Sequence, residues 1–253
     1  VLHQDVVGNA LVLTLDRPEA RNAINAATAA ELEAGLDRLE GSDDLWIGIV
    51  HHEGPVFSAG ADLKEVARNR GTGLYRSGSG FAGMVTYPRT KPLIAAVDGP
   101  AVAGGLEIVL ACDVVVASTR AAFGLPEVKR SLLAGAGGPF RLARVVGVNV
   151  AAEMVMTGET ITAERAYQLG LVNRLVEPGT VRDAALAMAA EISANAPIAV
   201  RQSRALVAAS FDHDEAGLWA LSRQLSERVF ASDDFQEGPR AFVEKRPPQW
   251  KGR

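Results

Sequence analysis

The sequence predicts an α/β protein that ends in helices alone, and three observations carry this reading. Short apolar runs of strand length alternate with helix-length segments between residues 11 and 176. Those runs show little polar alternation, as expected of parallel strands covered on both faces. From residue 181 onward only helical periodicity remains.

Residues 11–15, Leu-Val-Leu-Thr-Leu, read as a strand stopped by the turn Asp16-Arg17-Pro18. Residues 28–39 then place Ala29, Leu32, Leu36 and Leu39 at helical spacing, with Gly41 as the stop. The same strand-then-helix order recurs in 46–50 followed by 61–68, and in 93–97 followed by the apolar helix that holds Glu107. Residues 114–117 and 171–176 are two more short buried strands. Between 69 and 80 the chain is rich in Gly, Ser and Arg and has no periodicity, which predicts a loop or mobile lid. Helices are expected over 181–194, 197–209, 213–231 and 237–245. Their apolar stripes suit packing against a neighbouring copy of the chain.

The 253 residues, 48% hydrophobic and 22% charged, have the profile of a soluble globular protein of one or two domains. A net charge of −4 leaves no electrostatic footprint for nucleic acid or an anionic membrane. The one cysteine, Cys112, excludes an internal disulfide and, within Val109-Leu110-Ala111-Cys112, reads as a packed core thiol. The residues Val1 to Asp5 lack the basic start of a signal peptide. No apolar run approaches the roughly 18 residues of a membrane helix. A cytoplasmic protein is expected.

Two glutamates suggest paired acid/base chemistry. Glu107 interrupts an apolar helix, where an unpaired carboxylate is costly to bury. Glu127 follows Pro126, a residue suited to the first position of a helix, although Pro-Glu is by itself a common helix opening. Two turns of small residues, Ser58-Ala59-Gly60-Ala61 and Ala101-Val102-Ala103-Gly104-Gly105, let backbone approach a ligand. Each read alone is a plain turn; together they can aim two N–H groups at one carbonyl oxygen. Gly78-Ser79-Gly80-Phe81-Ala82-Gly83 fits a dinucleotide pattern, but no strand leads into it and it reads as a loop. His51-His52 has no helical partner pair for a metal, and no serine stands in a nucleophile elbow.

Phe57-Ser58-Ala59-Gly60-Ala61-Asp62-Leu63-Lys64-Glu65, Lys91-Pro92-Leu93-Ile94-Ala95-Ala96-Val97-Asp98-Gly99 with Ala103-Gly104-Gly105-Leu106-Glu107, and Phe123-Gly124-Leu125-Pro126-Glu127 together resemble the crotonase, or enoyl-CoA hydratase, superfamily. The resemblance implies a crotonase-type spiral of ββα turns over residues 1–195 that holds the active site, followed by a helical trimerisation region over 196–253. It implies a homotrimer, usually paired into a homohexamer, an acyl-CoA thioester substrate, no metal, and no cofactor beyond the coenzyme A of the substrate itself. Carried over by position, the backbone N–H groups of Ala61 and Gly104 form an oxyanion hole, while Glu107 acts as base toward a water and Glu127 as proton source. Lys64, Phe242 and Lys245 fall where the family meets coenzyme A, with ordinary solvated lysines as the alternative at 64 and 245.

The activity so implied is that of an enoyl-CoA hydratase in fatty-acid metabolism, which adds water reversibly to a 2-enoyl-CoA to give a 3-hydroxyacyl-CoA. The segments 125–129 and 237–253 also resemble carnitinyl-CoA dehydratases, so a lyase on a specialised acyl-CoA is an alternative. A non-catalytic acyl-CoA binding protein is the alternative from another class, and retention of both glutamates argues against it. The chain departs from the common hydratase pattern at Ala134 and at Pro139-Phe140, near the acyl pocket, which leaves acyl length and reaction direction open.

Overall fold

A computed structural model describes residues 1–253, the side chain of Asn69 excepted. The chain runs β1 (Leu2–Val7), β2 (Ala10–Leu15), α1 (Ala26–Gly41), β3 (Ile47–His52), α2 (Leu63–Asn69), β4 (Tyr75–Arg76), β5 (Gly80–Phe81), β6 (Leu93–Val97), β7 (Ala101–Val102), α3 (Gly104–Ala111), β8 (Val114–Ser118) and β9 (Ala122–Gly124). It continues through α4 (Gly138–Val146), α5 (Val148–Thr157), β10 (Thr160–Thr162), α6 (Ala163–Gln168), β11 (Arg174–Val176), α7 (Val181–Ser193), α8 (Pro197–Ala208), α9 (Glu215–Phe230) and α10 (Asp234–Glu244).

The main sheet has the order β1-β2-β3-β6-β8-β11. Only the β1–β2 pair is antiparallel; the other pairs are parallel. Period-two alternation divides each central strand between two cores. Leu11, Leu13 and Leu15 join Leu93, Ala95 and Val97 on one face, packed under Leu32, Leu36 and Leu39 of α1 and Leu106 and Val109 of α3. Val12, Ile47, Ile49, Ile94 and Val116 face the other way, against Val181, Ala185, Met188 and Ala189 of α7. Both faces are thus covered, which is why the strands read as continuous apolar runs.

A second sheet has the order β10-β9-β7; an isolated parallel bridge of Ser58 with Ala101 ties the 58–61 turn to its β7, and another of Ala61 with Ile24 ties the turn to the segment before α1. Asp113 ties the C-terminal helices to this body. It accepts from both terminal nitrogens of Arg89 (2.6 and 3.0 Å), from the amide of Leu93 (2.7 Å) and from Nε of Arg204 on α8 (2.8 Å). Lys91, itself buried, donates to the carbonyls of Leu39 (2.6 Å) and Ser42 (2.5 Å), satisfying acceptors that the end of α1 leaves open.

Several boundaries differ from the sequence expectation. The helix expected over 61–68 begins at Leu63, because Asp62 caps it by accepting from the Lys64 amide (3.1 Å). Ala61 therefore sits before the helix, in the bridge to Ile24. The helix expected to open at Pro126 is a single 3-10 turn, Pro126–Arg130. The segment expected as a loop or mobile lid over 69–80 contains β4 and the first residue of β5, which pair as a hairpin, and the side chain of Asn69 lies outside the described residues. The helix expected over 237–245 starts at Asp234 and carries Pro239 within it.

Candidate active site

An accounting of backbone donors around the 58–61 turn isolates one amide. Ala59 N donates to Arg21 O (3.0 Å), Gly60 N to Ser58 Oγ (3.1 Å) and Asp62 N to Ile24 O (2.9 Å). Among the described residues the N–H of Ala61 has no acceptor. At the start of α3 the pattern repeats. Ala103 N donates to Gly124 O, while Leu106 N and Glu107 N both reach Ala103 O, leaving the first-turn amides of Gly104 and Gly105 free.

The two turns touch. A Cβ placed on Gly60, whose φ is +85°, would lie 2.6 Å from Gly104 N, and one on Gly104 would lie 2.5 Å from Phe81 Cε1. Glycine is needed at both positions for this close approach. Ala103 completes the junction with φ 53° and ψ −130°, a conformation an L residue rarely adopts and holds only under constraint from its surroundings.

One turn further along α3, Glu107 is buried at 4% exposure. Its Oε1 accepts from the amides of Ala136 (2.7 Å) and Gly138 (2.9 Å). Burial raises its pKa; those two amides and the Arg141 guanidinium oppose the rise by favouring the ionised form. Glu127, half-buried on its 3-10 turn, has an Oε2 that is enclosed and has no hydrogen-bond partner among the described residues. Burial, reinforced by the charge of Glu107, pushes its carboxyl up to about 7. Burial raises both carboxyls; two amides of a neighbouring segment serve Glu107, whereas Oε2 of Glu127 is left without a partner.

Lys64 is exposed in the first turn of α2. Phe242, 84% exposed, is on α10, and Lys245 caps that helix at its C-terminal end. No hydrogen bond or ion pair among the described residues links these three side chains to Glu107 or Glu127. Cys112 is the packed thiol expected, its pKa pushed up to about 12 by burial. His52 is buried and accepts from the amide of Asp98 (2.9 Å), and burial lowers its pKa to about 4. Among the described residues no group of three His, Cys, Asp or Glu side chains is placed to hold a metal ion. No helix is long and apolar enough to cross a membrane.

Sequence reasoning missed the Ala136 and Gly138 amides and Arg141. Backbone donors carry no side-chain signature; the glycine pair Gly137-Gly138 was the available signal, since a Cβ on Gly138 would meet Glu107 Oε1 at 3.0 Å.

The enoyl-CoA hydratase/isomerase family profile matches residues 6–253. A mevalonyl-coenzyme A hydratase of Aspergillus fumigatus is 41% identical over 95% of this chain and 91% of its own length. A carnitinyl-CoA dehydratase of Salmonella arizonae is 37% identical over 97% of this chain and 96% of its own length. The crystal structure of an enoyl-CoA hydratase from Mycobacterium tuberculosis superposes with a TM-score of 0.95 at 42% identity, covering 100% of this chain and 99% of that one. The fold and site thus define a hydro-lyase of the crotonase type that acts on acyl-CoA thioesters. The chain belongs to the enoyl-CoA hydratase/isomerase (crotonase) family, whose hydratases use no separate cofactor because coenzyme A arrives with the substrate.

Proposed function

We propose that the protein is an enoyl-CoA hydratase in which Glu107 and Glu127 add water across the C2=C3 bond of a 2-enoyl-CoA. The observation that carries this reading is a pair of buried carboxyls that feel each other's charge, together with the free amides of Ala61 and Gly104 on two touching turns. Glu107, whose carboxyl burial raises while two N–H groups and Arg141 favour its ionised form against that rise, takes a proton from water as the oxygen bonds to C3. The π electrons move onto the thioester oxygen, and the N–H groups of Ala61 and Gly104 stabilise that enolate. Glu127, whose environment favours the protonated form, delivers its proton to C2. Glu107 ends protonated and Glu127 ionised, and running the steps backward gives dehydration.

The same reading assigns Lys64 to the coenzyme A phosphates, and Phe242 and Lys245 to the coenzyme A of a neighbouring subunit. It assigns residues 1–195 to a catalytic spiral and 196–253 to trimerisation in a homotrimer or homohexamer. What supports assembly is apolar exposure on the C-terminal helices: Val207 at 74%, Phe211 at 64%, Trp219 at 61% and Phe242 at 84%. The relatives differ in the acyl group they are named for, so a dehydratase of a specialised acyl-CoA is the second reading. Turnover of a panel of 2-enoyl-CoA and 3-hydroxyacyl-CoA thioesters of graded acyl length tests the proposal. Formation of 3-hydroxyacyl-CoA from short alkyl enoyl-CoAs supports it; binding of every thioester without turnover of any contradicts it.

A further inference from the structure

The free amide of Ala61 is left over from a docking of two segments. Residues 21–24 run beside the 56–62 turn and engage its polar groups one after another. Asn22 Nδ2 donates to Val56 O (2.7 Å), Ser58 Oγ to Asn22 O (2.8 Å) and Ala59 N to Arg21 O (3.0 Å). Ile24 N then donates to Gly60 O (2.7 Å), and Asp62 N to Ile24 O (2.9 Å). Gly60 N is taken from within the turn, by Ser58 Oγ (3.1 Å). Among the described residues Ala61 N is the one amide from 59 to 62 without an acceptor.

Asn22 stands at the centre of this docking. It is 2% exposed and has a φ of 51°, a left-handed conformation that asparagine tolerates better than most residues. Each of its polar atoms is used. Its N donates to Arg17 O (2.9 Å), its Oδ1 accepts from Arg17 N (2.7 Å), and its Nδ2 donates to Glu53 O (2.9 Å) as well as to Val56 O. The two carbonyls held by Nδ2 lie in the loop that leaves β3, so one side chain fixes the approach to the turn and, through Ser58, the turn itself. Arg17 closes the far side, donating to Ala23 O (2.6 Å) and pairing with Asp62 (3.4 Å), the residue that caps α2. Asn22 and Ser58 are both buried and act on the reaction only through the backbone they hold. A donor aimed in advance needs no reorganisation as charge develops on the oxygen.

We infer that Asn22 is a positioning residue for the enolate site, which through Ser58 holds the turn so that the Ala61 amide alone is free and aimed. This rests on the hydratase reading of the same site. The test uses Asn22→Asp, which keeps the size and the left-handed backbone but replaces both Nδ2 donors with an acceptor, and Ser58→Ala, which removes the hydroxyl bridge alone. Each is expected to lower kcat for crotonyl-CoA by about 10–100-fold, the scale of a small misplacement of a catalytic group. Calorimetric affinity for butyryl-CoA, which develops no enolate, should stay near wild type, whereas acetoacetyl-CoA, titrated as its enolate by near-ultraviolet absorbance, should bind more weakly. A merely structural role would lower the melting temperature and leave the ratio of these two affinities unchanged. That unchanged ratio, or wild-type kcat in folded Asn22→Asp and Ser58→Ala, overturns the inference while leaving hydration standing. A wild type that hydrates no enoyl-CoA overturns the hydratase reading and the inference with it.

Discussion

The contact between Gly60 and Gly104 lets the proposed enolate site be broken without touching a titratable group. In Gly60→Ala the new methyl carbon arrives 2.6 Å from Gly104 N, 3.0 Å from Ala103 Cβ and 3.2 Å from Gly104 Cα. Two of these three atoms are backbone, so the α3 N-terminus must shift or its amide stays covered. Loss of one such donor typically costs about 3–4 kcal/mol of barrier, or a 10²–10³-fold fall in kcat. A second cost falls on stability, because the φ of +85° is strained for alanine by about 1–3 kcal/mol. Gly170→Ala separates the two effects. Its φ is +84° and nothing lies within 4 Å of its Cβ position, so it shares the backbone penalty without the collision. Both variants are expected to melt lower, by a few °C per kcal/mol (about 2–4 °C) in a chain of this size. Only Gly60→Ala is expected to lose hydration of crotonyl-CoA, followed by the decline in enoyl-thioester absorbance. A folded Gly60→Ala with wild-type kcat/KM would refute the assignment of the enolate site to this junction.

Other consequences follow from the same geometry. Glu107→Gln and Glu127→Gln should each lower kcat by about 10²–10⁴-fold, with the double variant far from multiplicative; near-wild-type hydration by either would remove that residue from the mechanism. With Glu127 raised to about 7, the hydration rate should fall as pH rises through that value and the proton donor is lost; steady-state profiles with an alkaline limb far above it would contradict the assignment. The stability sign is opposite to that of an ordinary ion-paired carboxylate. The folded state binds the Glu127 proton more tightly than the unfolded chain, so stability is lost as pH rises from about 4.5 to about 7. Glu127→Gln should therefore raise the melting temperature relative to wild type at pH 8 and not at pH 4. Light scattering of the intact chain should give a trimer or hexamer, and a well-behaved monomer would sink the assembly proposal.

The central strands were legible because burial on both faces leaves Leu11 to Leu15 and Leu93 to Val97 with hardly a polar interruption. The helix of Glu107 was legible for the same reason, with the carboxylate conspicuous in apolar surroundings. Edges and short pieces were not. β1 is exposed along nearly its whole length and has no apolar face to announce it, and β9 and β10 are held by pairing with each other rather than by their own three residues. α4 begins at the second of two glycines, followed by a proline, so its start carries little helical signal, and the amides of Ala136 and Gly138 that serve Glu107 leave no mark in side-chain identity. The glutamates could be picked out because carboxylates are rare in such contexts. The free amide of Ala61 emerges only when every neighbouring donor has found its acceptor.

Hydration in D2O tests most directly whether water adds across a double bond between two carboxylates. Crotonyl-CoA incubated with the enzyme in D2O, quenched early and exchanged back into H2O, should yield 3-hydroxybutyryl-CoA with one deuterium retained on C2, the atom that Glu127 protonates. Recovery of unreacted crotonyl-CoA, or deuterium placed on C4 with the double bond moved and no oxygen gained, would contradict the account.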